Sequence, residues 1–251
     1  MGEPLTVSDE GTSAPAMSRR LPVRRRRRGG WYFFRDLLVI FLIALLASVL
    51  IKTFLVRSFY IPSGSMENTL LIKDRILVNE LEPSLIPIQR GDVIVFTDPG
   101  GWLPARPSPA QPPVVAAVAW LLDLTGLAAS DSNNHLVKRV IGLPGDHVTC
   151  CNPLGQTSVN DVPLNEPYTH DPVDQTPAIP FDVTVPPGTI WVEGDNRNNS
   201  KDSRLNQDTP SRGFVPLGNV DGRAIIVTFP IDQWTLLSNY PETFKAVPDP
   251  K

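Results

Sequence analysis

A serine in a tight turn and a lysine between apolar neighbours are the groups in this chain that could do chemistry together. The turn is F-Y-I-P-S-G-S-M-E-N-T-L, Phe59 to Leu70, where Ser63 and Ser65 are separated only by Gly64. Pro62 fixes its own φ and pushes Ile61 towards an extended conformation. Gly64 permits backbone angles that other residues resist and lets another backbone come close. Ser65 is therefore a candidate exposed nucleophile, although Ser-Gly-Ser also occurs in ordinary surface turns. A serine hydroxyl is a weak nucleophile at neutral pH and needs a base. His135, His147 and His170 each lie among polar loop residues, and no Asp-His-Ser pattern can be recognised. Lys138, in L-V-K-R-V-I, is more informative. Strand alternation puts Leu136, Lys138 and Val140 on one face and Val137, Arg139 and Ile141 on the other. An ammonium between apolar neighbours is poorly solvated, which lowers its pKa. Catalytic lysines are tuned to about 7–8 in this way. The alternative is a solvated edge-strand lysine or a partner for a carboxylate. A third stretch, G-D-N-R-N-N-S-K-D-S-R at Gly194 to Arg204, follows an apolar strand. Its hydroxyls, amides and Asp/Arg pairs could pin a lysine amine from the side.

These groups need rigid elements to position them. Short segments rich in β-branched or aromatic residues predict strands at Arg75–Asn79, Asp92–Phe96, Leu136–Ile141, Thr189–Glu193 and Ala224–Phe229. Ser158 to Leu164 predicts a hairpin turning at Asn160-Asp161. No helical period of useful length follows residue 57, except Val114 to Ala129. That stretch predicts a short helix packed on the domain or lying in a membrane surface rather than a second span.

Before the turn lies Leu37 to Val56, twenty residues broken only by Lys52. A helix of that length spans about 30 Å, the thickness of a hydrocarbon core. Lys52 can snorkel to one interface, while Trp31 and Tyr32 suit the other. A cleaved secretory signal is the rival, but the run is longer than the ~7–15 residues usual for one, and no prompt small-x-small site follows. Residues 1–36 carry eight arginines against four acids. That excess places the N-terminus in the cytoplasm and the residues after Arg57 outside.

The chain has 251 residues and a net charge of −3, enough for one soluble domain with an anchor. The part beyond residue 36 is acidic and has no basic patch, which argues against a nucleic-acid partner. Its 27 prolines favour turns, loops and edge strands. The two cysteines, Cys150 and Cys151, are adjacent and make no metal site of familiar spacing. They are read either as two thiols without a catalytic part or as a vicinal disulfide on the oxidising side of a membrane.

I-P-S-G-S-M-x-x-T-L at Ile61 to Leu70, R-G-D-V-I-V-F at Arg90 to Phe96, K-R-V-I-G-L-P-G-D at Lys138 to Asp146 and G-D-N-R-x-N-S-x-D-S-R at Gly194 to Arg204 together resemble the signature boxes of bacterial type I signal peptidases (leader peptidases). The resemblance covers about residues 57 to 230. It implies a mostly β fold: a single N-terminal transmembrane helix, then a β-rich catalytic domain with an inserted subdomain. Composition and the resemblance together divide the chain into a disordered basic tail at 1–30, an anchor at 31–56, and a catalytic core at 57–96 and 135–230. A hairpin subdomain falls at about 148–188, an insertion at 97–134 and a C-terminal extension at 231–251.

The resemblance further implies a membrane-bound Ser/Lys-dyad endopeptidase. It would cut signal peptides from exported preproteins after an Ala-x-Ala site, on the outer face of the cytoplasmic membrane. Ser65 matches the nucleophile and Lys138 the general base. Ser63, with the Ser65 N–H, matches the oxyanion hole. Ser200 matches the serine that orients the lysine amine, and Asp202 with Arg204 a supporting ion pair. Phe59, Ile61, Met66, Leu70, Leu136 and Val137 match the walls of two small substrate pockets. Preproteins and the phospholipid membrane are the implied partners, with no cofactor, metal or nucleic acid. Asn198 departs from the family's usual Asp, which removes a charge beside Arg197. A self-cleaving repressor of related chemistry lacks an anchor. A penicillin-interacting acyltransferase would need Ser-x-x-Lys, and here Asn68 follows Ser65 by three. A β-rich binding module with a coincidental dyad is the non-enzymatic alternative.

Overall fold

The computed structural model describes residues 29–104, 134–170 and 179–250. The basic tail up to residue 28 and the apolar stretch Val114 to Ala129 lie outside the described residues. The chain divides into two units, residues 1–44 and 45–251.

Helix α1 runs Gly29–Phe54, about 39 Å at 1.5 Å per residue. Its segment Trp31–Ser48 is long and apolar enough to cross a membrane, and the side chains there are exposed. Among the described residues, exposed apolar side chains along most of such a segment suit a lipid solvent. The helix stops before the expected end of the anchor, because Val56 already opens a strand.

In chain order the strands are β1 (Val56–Tyr60), β2 (Arg75–Asn79), β3 (Val93–Thr97), β4 (His135–Gly142), β5 (His147–Cys150) and β6 (Ser158–Val159). There follow β7 (Val162–Pro163), β8 (Phe181–Thr184), β9 (Thr189–Glu193), β10 (Val215–Pro216), β11 (Val220–Phe229) and β12 (Thr235–Leu236). An eight-stranded sheet has the order β1-β2-β11-β3-β4-β9-β10, with β12 on β11. A four-stranded sheet runs β7-β6-β5-β8. The strand at Ala224–Phe229 begins earlier than expected, at Val220, because Val220 and Gly222 also pair with β3.

β3 explains its own sequence. Val93 and Val95 face one core cluster, with Phe59, Met66 and Ile76, while Ile94 and Phe96 face another, with Leu136, Val140 and Trp102. A strand buried on both faces reads as a continuous apolar run. Each such side chain contributes about 1.5–3 kcal/mol by leaving water. Beside it, β4 holds Lys138 opposite Ile94 and Arg139 opposite Val93.

The hairpin turns where expected. Asn160 and Asp161 both have positive φ, 49° and 67°, the geometry of the tight hairpin turn these residues favour. The C-terminal residues, which the resemblance does not reach, close the back of the domain. Leu237 enters the cluster of Phe59 and Met66, and Phe244 and Val247 enter that of Trp191. Helix α2 (Pro241–Phe244) carries Phe244 inward. Gly91, at φ +86°, lies so close to Asn239 O that a Cβ would meet it.

Candidate active site

Ser65 sits in a single 3-10 turn, Gly64–Met66, that follows the extended Ser63. The turn is pinned at both ends. Ile61 N–H donates to Asp74 O (2.9 Å) and Lys73 N–H to Ile61 O (2.9 Å). Downstream, Leu70 N–H closes on Met66 O (2.7 Å). Gly64 does not use a left-handed angle; the positive φ values fall on Asn68 (85°) and Lys73 (79°). Gly64 matters through space instead, since a Cβ there would lie 2.7 Å from the Glu67 carboxylate. Asn196 Nδ2 holds that carboxylate (2.8 Å), and Asn196 N–H donates to Ser65 O (3.1 Å).

Lys138 comes from the middle of β4. Its Nζ donates to Ser65 Oγ at 2.7 Å and to Val137 O at 2.9 Å. Both side chains are buried. Burial lowers the Lys138 pKa to about 8, while Asp202 and Asp195 pull it up and Arg204 pushes it down. Desolvation penalises the ammonium more than two carboxylates at a distance restore it. Ser63 Oγ lies 3.4 Å from Ser65 Oγ on the open side of the turn.

Ser200 lies close to the serine turn. The Ser200 hydroxyl is buried beside the Asp202 carboxylate, whose pKa it helps to lower. Gly194 governs the spacing here. A Cβ on Gly194 would fall 2.2 Å from Ser200 Oγ and 2.5 Å from Ser65 O. Only glycine lets the two serine segments meet so closely.

Asp202 and Arg204 form a buried two-point ion pair, Nε–Oδ1 2.9 Å and Nη2–Oδ2 2.8 Å. Burial disfavours the Asp202 carboxylate, yet Arg204 and the Gly194 N–H (2.9 Å) keep its pKa below the usual value. Arg197 pairs with Glu166 and with Glu193 Oε2 (2.9 Å). Those two acids come from outside the position where Asn198 departs from the family.

A further buried ion pair is not among the residues singled out from sequence. Arg139 binds Asp195 at two points, 2.8 and 2.7 Å, and its guanidinium lies 4.1 Å from the Tyr168 ring centre. Asp195 also accepts from Thr69 Oγ1, so one carboxylate ties β4 to the serine turn. A charge on each face of a strand that pairs on both edges was the available signal.

A cavity of about 250 Å³ opens beside Ser65 and Lys138, lined by Phe59, Ile61, Met66, Leu136 and Val137 among others. Leu70 does not line it. One turn beyond Met66 it points into the core, fully buried with Ile76 and Val78. Of the histidines, His147 pairs with Asp182 on the small sheet (2.7 Å). His135 borders the cavity, with Asp221 3.7 Å away. Cys150 and Cys151 are joined as a disulfide between neighbours. Among the described residues no cluster of His, Cys, Asp and Glu could hold a metal ion.

Residues 34–229 match the family described as "Signal peptidase, peptidase S26". The chain is 39% identical over 222 residues to Signal peptidase I of Mycobacterium tuberculosis (strain H37Rv), covering 80% of this chain and 74% of that one. It is 37% identical over 209 residues to Probable signal peptidase I of Mycobacterium leprae, covering 72% and 71%. It is 33% identical over 200 residues to Probable signal peptidase I-1 of Synechocystis sp. PCC 6803, covering 79% and 84%.

Proposed function

We propose, from the premise that this chain belongs to the signal peptidase family, peptidase S26, that it cuts exported preproteins after Ala-x-Ala with Ser65 as nucleophile and Lys138 as base. The 2.7 Å contact between Lys138 Nζ and Ser65 Oγ carries the reading. With a pKa of about 8, Lys138 has roughly one amine in ten neutral at pH 7. The neutral amine accepts the Ser65 proton as Oγ attacks the scissile carbonyl carbon. The resulting oxyanion is met by the Ser65 N–H, free of an intrahelical partner at the start of its turn, and by the Ser63 hydroxyl. As the C–N bond breaks, Lys138 returns the proton to the departing amine. Water, deprotonated by Lys138, then hydrolyses the acyl ester and frees Ser65.

The substrate lies as an added strand between residues 59–62 and β4, its alternate side chains directed at the apolar wall. A 250 Å³ cavity suits small side chains. Helix α1 is read as a membrane anchor, with the arginine-rich N-terminus inside and the catalytic domain on the extracytoplasmic face. The partners are then preproteins and the phospholipid bilayer.

The test is cleavage of a preprotein bearing an Ala-x-Ala site by the detergent-solubilised chain. Cutting after the second Ala, absent in Ser65→Ala, is expected. A folded wild-type protein that cuts no such substrate would overturn the proposal.

A further inference from the structure

The cleft does not end at the dyad. Beyond it lies a second cavity of about 650 Å³, reaching Cys150, Asn199 and Lys201. Six residues line both cavities: Ser63, Ser65, Leu136, Lys138, Leu103 and Pro104. The first four belong to the serine turn and β4. Leu103 and Pro104 come from the loop after β3, outside the four sequence boxes.

The described start of that loop, residues 98–104, is held by specific contacts. The Asp98 carboxylate accepts from the N–H groups of Gly100 (2.8 Å), Trp102 (3.2 Å) and Leu103 (3.1 Å). Trp102 is buried, stacks edge-on against Phe96 with ring centres 5.6 Å apart, and donates to Ser211 Oγ (3.0 Å). Lys201, next to Ser200, donates to Trp102 O (3.0 Å). An aromatic anchor, a capping carboxylate and a lysine tie hold Leu103 and Pro104 at the junction of the two cavities.

We infer that Leu103 and Pro104 form a selecting wall over the scissile bond, limiting the size of the side chains immediately before and after it. The inference rests on the proposed reading of the cleft as a preprotein site. Pro104 has no N–H to pair with a bound strand, and Leu103 offers a branched apolar face. The wall therefore discriminates by shape and not by hydrogen bonds. Size selection by one apolar contact is worth about 10–200-fold.

The experiment uses the full chain in detergent and a peptide panel with Ala, Val or Leu before the scissile bond and Ala or Leu after it. Leu103→Ala widens the junction, and its kcat/KM preference for Ala over Leu should fall about tenfold or more. Leu103→Trp narrows it, and the same preference should rise with the unfolding temperature unchanged. Opposite shifts from one position are not what a merely structural role gives. If both variants keep the wild-type selectivity, or lose activity evenly across the panel, the inference is overturned alone. If wild type cuts none of the panel, the reading of the site falls and takes the inference with it.

Discussion

Lys138 Nζ and Ser65 Oγ are 2.7 Å apart although 73 residues of chain separate them. Two registers bring them together. β3 pairs with β4, which fixes Lys138 opposite Ile94, and the Asn196 N–H holds the Ser65 carbonyl against the loop after β9. The contact is thus a property of the sheet order, and changes to it should be read through that order.

Replacing Lys138 by Met should abolish cleavage, a loss of about a thousandfold or more, while the protein stays folded. Circular dichroism with single-turnover cleavage checks this. Activity surviving in Lys138→Met would move the base elsewhere, with His135 at the cavity rim the first place to look.

The pH profile follows from the Lys138 pKa of about 8. Cleavage should rise about tenfold per pH unit below 8 and level off above it. Stability has the same sign. The folded state holds the lysine at about 8 against 10.5 unperturbed, so it binds fewer protons between those values and gains stability as pH rises through them. Below pH 8 both states are protonated and the cost of the buried ammonium, about 3 kcal/mol, is fully present. Urea melts of wild type minus Lys138→Met at pH 7.5 and 10 should show that difference shrinking.

Asp202→Asn should do two things at once. It leaves the Arg204 guanidinium buried without its carboxylate, costing about 3–5 kcal/mol. It also removes a charge that raises the Lys138 pKa, so the midpoint of the activity profile should move to lower pH in the folded fraction. Arg204→Met should move it to higher pH. Shifts in the same direction would refute the electrostatic assignment.

Gly194→Ala places a methyl group against Ser200 Oγ and Ser65 O. Overpacking of this kind costs about 1–3 kcal/mol. We expect kcat to fall far more than stability does, because the displaced carbonyl belongs to Ser65, the proposed nucleophile. Equal kcat with a lowered melting temperature would show that the spacing is structural only.

If Ser63 donates to the oxyanion as proposed, Ser63→Ala should lower kcat about a hundredfold with KM little changed, while Ser63→Thr keeps most activity. Steady-state kinetics on one peptide separates the two parameters.

Much of the fold was legible from local signals. β2, β3, β4 and β9 announced themselves as short β-branched runs, and Asn160-Asp161 marked the hairpin. Other features were not local. Leu70 reads like Met66 as an apolar residue near the serine, yet the turn closing on Met66 O sends it into the core. Gly64 suggested an unusual φ, but its role is room for the Glu67 carboxylate. The C-terminal residues carry no box, and only packing shows Leu237 and Phe244 completing two core clusters.

Residue type and order were enough to say which residues could react: a serine after Pro62, a lysine flanked by apolar residues, and a polar segment after a buried strand. They determined the apolar helix as well, since length and composition alone decide whether a segment suits lipid. Tertiary structure decided the rest. Burial, a property of everything packed around Lys138, brings its pKa to about 8. Partner choice among buried charges, Arg139 with Asp195 and Arg204 with Asp202, depends on distances across strands that no local pattern encodes. The junction of two cavities at Leu103 exists only once a loop from one part of the chain is folded over a turn from another.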